Sequence, residues 1–287
     1  MRPRAGKIAV FAIGALDACA LLGLVTSLSV VACGGSHNSD PDAPHAQSPE
    51  RQSEAEYDLA RDYFSKGNPR GALDHAMKAV QMNDENAKAL YLTSAIYLSF
   101  CSTDLGFASP DCKIESSEKY ARLALKADPS FRDARNLLGQ VLILAKKYEE
   151  AITVLKPLAA DPAYASSFLA WGNLGWAQVL HGDLDEGILS LKNSVTQPRF
   201  CVGFYRLGVA YEKKADPVQA EQNFSSALAI ESPDCQNLQD AWEARGRARL
   251  KLGNVNGARG DFEKCRDISD KSPTGKSCVA MLSNNAG

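Results

Sequence analysis

From about residue 53 onward the chain repeats itself at a period of about 34 residues. The clearest copy carries Phe204, Leu207, Gly208 and Tyr211, then Ala220, Phe224 and Ala227. Residues three and four apart share one face of a helix, so the string predicts two helices, each with one marked face. Small residues at Gly208 and Ala220 let the two helices cross closely, and Phe224 is large enough to fill the space between neighbouring pairs. A unit this short cannot bury its apolar side alone. It buries it only by stacking on the next copy, which confines the chain to a quasi-one-dimensional array.

Five further copies keep the register. The first has Leu59, Ala60 and Tyr63, then Ala72, Ala76 and Ala79; the second has Leu90, Ser94 and Tyr97, then Ala121 and Ala124. The third has Leu138, Gly139 and Leu142, then Ala151, Leu155 and Leu158; the fourth has Trp171, Leu174 and Gly175, then Gly187, Leu191 and Ser194. The sixth has Trp242 and Gly246, then Ala258, Phe262 and Cys265. Turn formers separate the paired helices at Gly67-Asn68-Pro69, Gly182-Asp183, Asp216-Pro217 and Gly253-Asn254. Pro129, Pro162, Pro198 and Pro233 close copies, because a helix cannot continue into proline. This pattern resembles the tetratricopeptide repeat. The resemblance implies an all-α fold, a right-handed superhelix of six tetratricopeptide repeats with a concave inner face; the alternative is an unrelated bundle with alanine-rich faces. Cys278, Val279 and Leu282 sit at helical spacing and predict a short capping helix over the exposed end of the last repeat.

The start of the chain is of another kind. Arg2, Arg4 and Lys7 precede a mostly apolar run from Ile8 to Ala32, as in an export signal. The run is long enough to cross a bilayer, but Asp17 lies inside it, and a charge there is costly in lipid. Val30-Val31-Ala32-Cys33-Gly34 ends the run and resembles a bacterial lipobox. That resemblance implies removal of residues 1–32, lipid attachment at Cys33 and stable membrane anchoring by more than one acyl chain. The competing reading is an uncleaved membrane helix with Cys33 incidental; the small Ala32 and the abrupt polar run after Cys33 argue against it. Gly34 stands where an aspartate would hint at inner-membrane retention, which favours an outer-membrane anchor. The expected layout is 1–32 signal peptide, 33–52 flexible tether, 53–273 repeats and 274–287 cap and tail. A tether of this composition reaches about 25 Å. Its His37 and His45 lack a third ligand at usual spacing and are read as solvated.

The eight cysteines reduce to six once Cys19 leaves with the signal and Cys33 takes lipid. An even number of thiols in an exported chain suggests disulfides. Cys101 and Cys112 bracket an insertion between the helices of the second repeat, and a bridge closing such a loop gives about 3 kcal/mol on a chain-entropy estimate. Cys201 and Cys235 stand one period apart, where equivalent positions of neighbouring repeats lie close. Cys265 and Cys278 would staple the cap. Six cysteines admit many connectivities, and the sequential one is chosen on proximity. The alternative for the last pair is buried free thiols, since Cys265 takes the small alanine position of the repeat.

Charge excludes one class of partner. Removing the signal's three basic residues and one acid leaves 29 basic against 33 acidic, a net −4. A mildly acidic domain without basic runs is a poor binder of nucleic acid, which demands clustered Lys and Arg. No catalytic set is found, and no cofactor, metal site or small-molecule substrate is expected. His75 and His181 are isolated from any Cys/His cluster, and Glu149-Glu150 and Asp185-Glu186 fall near helix starts, where the dipole favours acids.

The first helix of each pair is expected to line the concave groove. One turn apart along those helices stand Tyr57, Phe64, Tyr91, Leu92, Leu98, Ile143, Leu144, Trp176, Val179 and Leu180 in the first four repeats. Arg206, Glu212, Lys213, Glu243, Arg247 and Lys251 stand there in the last two. An apolar groove suits an apolar or amphipathic segment, although several of these side chains could instead pack between helices. Signal, lipobox, tether and six repeats together resemble the Tgl/PilF/PilW family of type IV pilus lipoproteins, and the cysteines resemble its disulfide-bearing Tgl branch. The resemblance implies a pilotin that binds a secretin subunit and helps it reach the outer membrane and multimerise. Of the family's functional residues only the lipid site, Cys33, carries over. Two other readings stay open: a lipid-anchored scaffold for outer-membrane protein assembly or cell-wall enzymes, and a periplasmic enzyme on a helical-repeat fold, for which no site is found.

Overall fold

A computed structural model describes residues 48–101 and 111–284; the expected signal, Cys33 and the expected tether up to residue 47 lie outside the described residues. The described residues form helices and no strands. The helices pair in sequence: α1 (Pro49–Ser65) with α2 (Pro69–Met82), α3 (Ala87–Cys101) with α4 (Ile114–Ala127), and α5 (Arg132–Leu144) with α6 (Tyr148–Ala159). Then follow α7 (Ser167–His181) with α8 (Leu184–Ser194), α9 (Cys201–Lys213) with α10 (Pro217–Leu228), the short α11 (Pro233–Gln236), α12 (Gln239–Lys251) with α13 (Val255–Ile268), and α14 (Pro273–Asn284). Six helix pairs and a terminal cap form the superhelix.

Two boundaries differ from expectation. Pro49, Glu50, Arg51 and Gln52 belong to α1 rather than to the tether. Proline is well suited to a first helical turn, and Glu50 sits where the helix dipole favours an acid. Pro233 does end the repeat, since α10 stops at Leu228, but it also opens α11 by the same first-turn preference.

Within each pair the small-against-large pattern does its packing. A Cβ on Gly208 would lie 2.5 Å from the ring of Phe224, and one on Gly246 would lie 2.5 Å from Phe262, so both positions require glycine's bare backbone. Phe224 is fully buried and packs with Ala244 and Ala248 of the next pair, as its size predicts. Second helices are started by side-chain caps at three turns. Asn68, Asp216 and Asn254 accept from the backbone N–H of Gly71, Gln219 and Gly257.

In five repeats, capped or not, the residue just before the N-cap position of the second helix has positive φ: Gly67 at 74°, Lys146 at 61°, Gly182 at 114°, Ala215 at 59° and Gly253 at 77°. All five occupy one register position of the repeat. In the second repeat that position is Cys101, so there the bridged insertion stands in place of the left-handed turn. The three disulfides join Cys101 to Cys112, Cys201 to Cys235 and Cys265 to Cys278, with Cα–Cα distances of 4.6, 5.7 and 6.2 Å.

Consecutive first helices (α1, α3, α5, α7, α9, α12) touch one another, whereas the second helices make no comparable mutual contact. Rows that converge on one side and spread on the other curve the stack. The first helices therefore line its concave face. The cap α14 continues their row: Thr274 donates to Asp240 at 2.6 Å, and Ser277 to Glu243 at 3.2 Å, both on α12.

Candidate protein-interaction face

The concave face follows from how little of each first helix stays open. A first helix packs on its own second helix and on both neighbouring first helices, leaving one narrow stripe. Three of the ten expected groove residues miss that stripe. Tyr57, Leu92 and Val179 are 9, 6 and 2% exposed and belong to the core between helices. Phe64, Tyr91, Ile143 and Trp176 are half-buried, each with one flank on a core cluster. Leu98 and Leu180 are half-buried outside those clusters, and Leu144 is open at 47%. Burial pushes the Tyr91 hydroxyl up to about 12, with the nearby Asp133 charge adding to it. The ten therefore do not form one continuous apolar stripe.

In the middle of the face lies a polar row that the apolar reading missed. Arg206 on α9 donates through Nη1 to the Gly172 carbonyl at 3.1 Å and to Asn173 Oδ1 at 2.9 Å, both on α7. Its guanidinium lies over the Trp176 ring, 5.7 Å from the centroid. Asn173 Nδ2 donates onward to Asn136 Oδ1 on α5 at 3.0 Å. Asn173 and Asn136 are 4 and 6% exposed. No carboxylate pairs with Arg206 among the described residues, and burial lowers its pKa to about 10. The signal was present in the sequence: Asn136 beside Leu137-Leu138 and Asn173 beside Leu174, next to core positions where polar side chains rarely enter unless they are satisfied.

The last repeats close their face by internal pairing. Arg247 on α12 bridges Glu212 of α9 at 2.9 Å and Glu243 one turn before it, and Lys251 joins Glu212 at 3.2 Å. Burial works to raise the Glu212 pKa, and the bonds from Arg247 and Lys251 more than offset it, leaving the carboxyl below its ordinary range. Behind α12, Asp261 is 2% exposed and receives Arg245 through two bonds of 3.0 and 2.7 Å and Arg249 through two of 3.0 Å. These groups are saturated by one another.

The two histidines are engaged locally. His75 meets Glu56 at 2.6 Å and stacks on Tyr63, and the exposed His181 meets Asp183 at 2.9 Å. Among the described residues no group of three or more His, Cys, Asp or Glu is placed to hold a metal ion, and no helix is long and apolar enough to cross a membrane.

The architecture is that of a tetratricopeptide-repeat protein. Residues 113–165 match the family model for the tetratricopeptide repeat. Among solved structures the chain is similar to PilW, described as a widely conserved type IV pilus biogenesis factor. That match has a TM-score of 0.66 at 19% identity and covers 79% of this chain and 98% of PilW. Pseudomonas aeruginosa PilF matches with a TM-score of 0.62 at 16% identity, over 81% of this chain and 99% of PilF. The Cut9–Hcn1 hetero-tetramer of the APC/C also matches, with a TM-score of 0.66 at 13% identity, over 82% of this chain and 43% of that one. At these identities the likeness is one of fold. No curated protein matches the chain.

Proposed function

We propose that the chain is a type IV pilus biogenesis lipoprotein of the pilotin kind. Cys33 carries the lipid that anchors it in the outer membrane, and the repeat domain faces the periplasm. There it binds a secretin subunit on its concave face and promotes outer-membrane targeting and multimer assembly. The observation that carries this reading is the extent of the likeness: nearly the whole of PilW and of PilF, 98 and 99%, superposes on this chain. The lipobox at Cys33 and the export-type use of cysteine support it. The protein acts by binding rather than by catalysis.

Deletion of the gene tests the proposal directly. Secretin multimers that resist detergent should fall strongly in the deletion strain and return with the full-length gene. Cys33→Ser should fail to restore them and should leave the protein out of the outer-membrane fraction. Unchanged multimers would sink the pilotin reading. The equal TM-score of 0.66 with the APC/C structure favours one alternative, a lipid-anchored scaffold for other envelope assemblies, because this fold serves unrelated complexes. Under that alternative the deletion strain keeps its secretin and loses another envelope complex.

A further inference from the structure

The polar row on the concave face has a fixed direction. An arginine guanidinium has five donors and no acceptor. Because Arg206 donates to Asn173, the Asn173 oxygen must face it, and the Asn173 amide nitrogen must then donate to Asn136 Oδ1. That turns the Asn136 amide nitrogen away from the row. Nothing in the described protein accepts from it, nor from Nε and Nη2 of Arg206. Among the described residues no fully buried side-chain polar atom lacks a partner, so these unbonded donors keep some exposure to solvent. Asn136, 6% exposed, thus keeps an amide donor that no described group accepts from. The arrangement offers only donors, and one asparagine amide separates them. What fits is a pair of acceptors, one of them anionic.

The acids nearby do not fill the place. Glu212 and Glu243 are held by Arg247, and Asp240 accepts from Thr274. A polyanion such as nucleic acid is opposed by the net −4 of the mature chain. The concave face also continues on both sides of Arg206, toward α5 and toward α12. An internal residue of a bound segment uses both directions, whereas a chain terminus uses one. We infer that this row receives an aspartate or glutamate side chain from an extended partner segment. The carboxylate forks onto Nε and Nη2 of Arg206, above Trp176, and a neighbouring main-chain carbonyl accepts from Asn136. The Trp176 ring and the Gly172 carbonyl hold the guanidinium in place beforehand, so little ordering is needed on binding.

The inference holds for any peptide partner and does not depend on the pilus reading. A secretin-derived peptide that failed to bind would count against that reading alone. The test uses the full chain and pools of short peptides, acetylated and amidated at their ends, with one central residue fixed and the rest drawn from small and aliphatic residues. Pools with central Asp or Glu should bind about tenfold tighter than pools with Asn or Gln. Arg206→Gln should erase that preference, and Arg206→Lys, which keeps the charge and loses the fork, should retain part of it and guards against misfolding of the first variant. Asn136→Leu should weaken all pools while leaving the acid preference intact. Equal binding of acidic and amide pools overturns the inference. So does an acid preference that survives Arg206→Gln, a preference seen only with free C-terminal carboxylates, or no binding by any pool up to millimolar concentration.

Discussion

In the first four repeats, neighbouring helices meet through leucine, alanine and aromatic side chains. The sixth keeps an apolar core around Phe262 and adds ion pairs from Arg245, Arg247 and Arg249, which stand at every second position of α12. Arg245 and Arg249 lie one turn apart and face α13, where Asp261 serves both; Arg247 points to the concave side, where Glu212 and Glu243 take it. Part of the contact between helices can therefore be carried by ion pairs, provided every charge in the buried set is matched. This pairing has a consequence for binding. Paired charges leave the concave side of the sixth repeat self-satisfied, while Arg206 of the fifth keeps open donors and the earlier repeats keep partly open apolar side chains.

The strongest way to break this contrast is to remove one member of the buried set. Asp261→Ala takes the counter-ion from Arg245 and leaves Arg249 only Glu221, and should cost about 3–5 kcal/mol in urea unfolding. Leu155→Ala, in the third repeat, should cost about 2–5 kcal/mol through a cavity instead. Hydrogen exchange separates the two, because contacts in such a stack are with nearest neighbours only. The first substitution should deprotect α10 to α14 and spare α1 to α4. A cost below about 1 kcal/mol for Asp261→Ala would mean that the arginine repeat is held by its alanines after all.

The disulfides extend the comparison. Replacing both Cys265 and Cys278 by alanine releases a loop of sequence separation 13 and should cost about 3 kcal/mol, with fraying confined to α13 and α14. Doing the same at Cys101 and Cys112, separation 11, should fray the end of α3 and the start of α4. If the cap stays protected without its bridge, the bonds from Thr274 and Ser277 to α12 suffice to dock it.

Acid should loosen the charged end in a defined window. Glu212 has its folded pKa below its ordinary value, so its pairing contributes stability in full above the unfolded value of about 4.3 and loses it as pH falls through the folded one. Unfolding midpoints against pH should therefore drop more steeply below that point for the natural protein than for Glu212→Gln. The effect should be smaller than that of either disulfide. Parallel curves would show that Arg247 draws its support from Glu243 alone.

Several features of the fold were legible because they are set by size. Gly208 against Phe224 and Gly246 against Phe262 announce a close crossing in the bare sequence, and cysteines at a turn, a period and a cap announce their partners. The concave face was less legible, because exposure there depends on contact with a third helix. Tyr57, Leu92 and Val179 have the spacing of open residues, and the helices packed around them bury them. Arg206 stood out as a charge, but its meaning comes from Asn173 and Asn136, which no local pattern joins; they meet only because successive first helices lie side by side.

The turn position common to the repeats allows the finest test. Gly67, Gly182 and Gly253 take positive φ without penalty, whereas Lys146 and Ala215 hold the same conformation with a Cβ attached. Nothing in the flanking sequence marks these two sites, so the conformation is imposed by the closure of one helix onto the next. A left-handed residue other than glycine costs about 1–2 kcal/mol, and glycine gives back part of that gain through its freer unfolded chain. Lys146→Gly and Ala215→Gly should each stabilise by about 0.5–1 kcal/mol, read as a rise in urea midpoint at constant slope. Ala215 tests this more sharply, since its turn adjoins the charged repeats: Asp216 caps α10 and Lys214 bridges to Asp185. Stabilisation at Lys146 but not at Ala215 would show that the charged side of the stack, rather than helix closure, fixes the second turn.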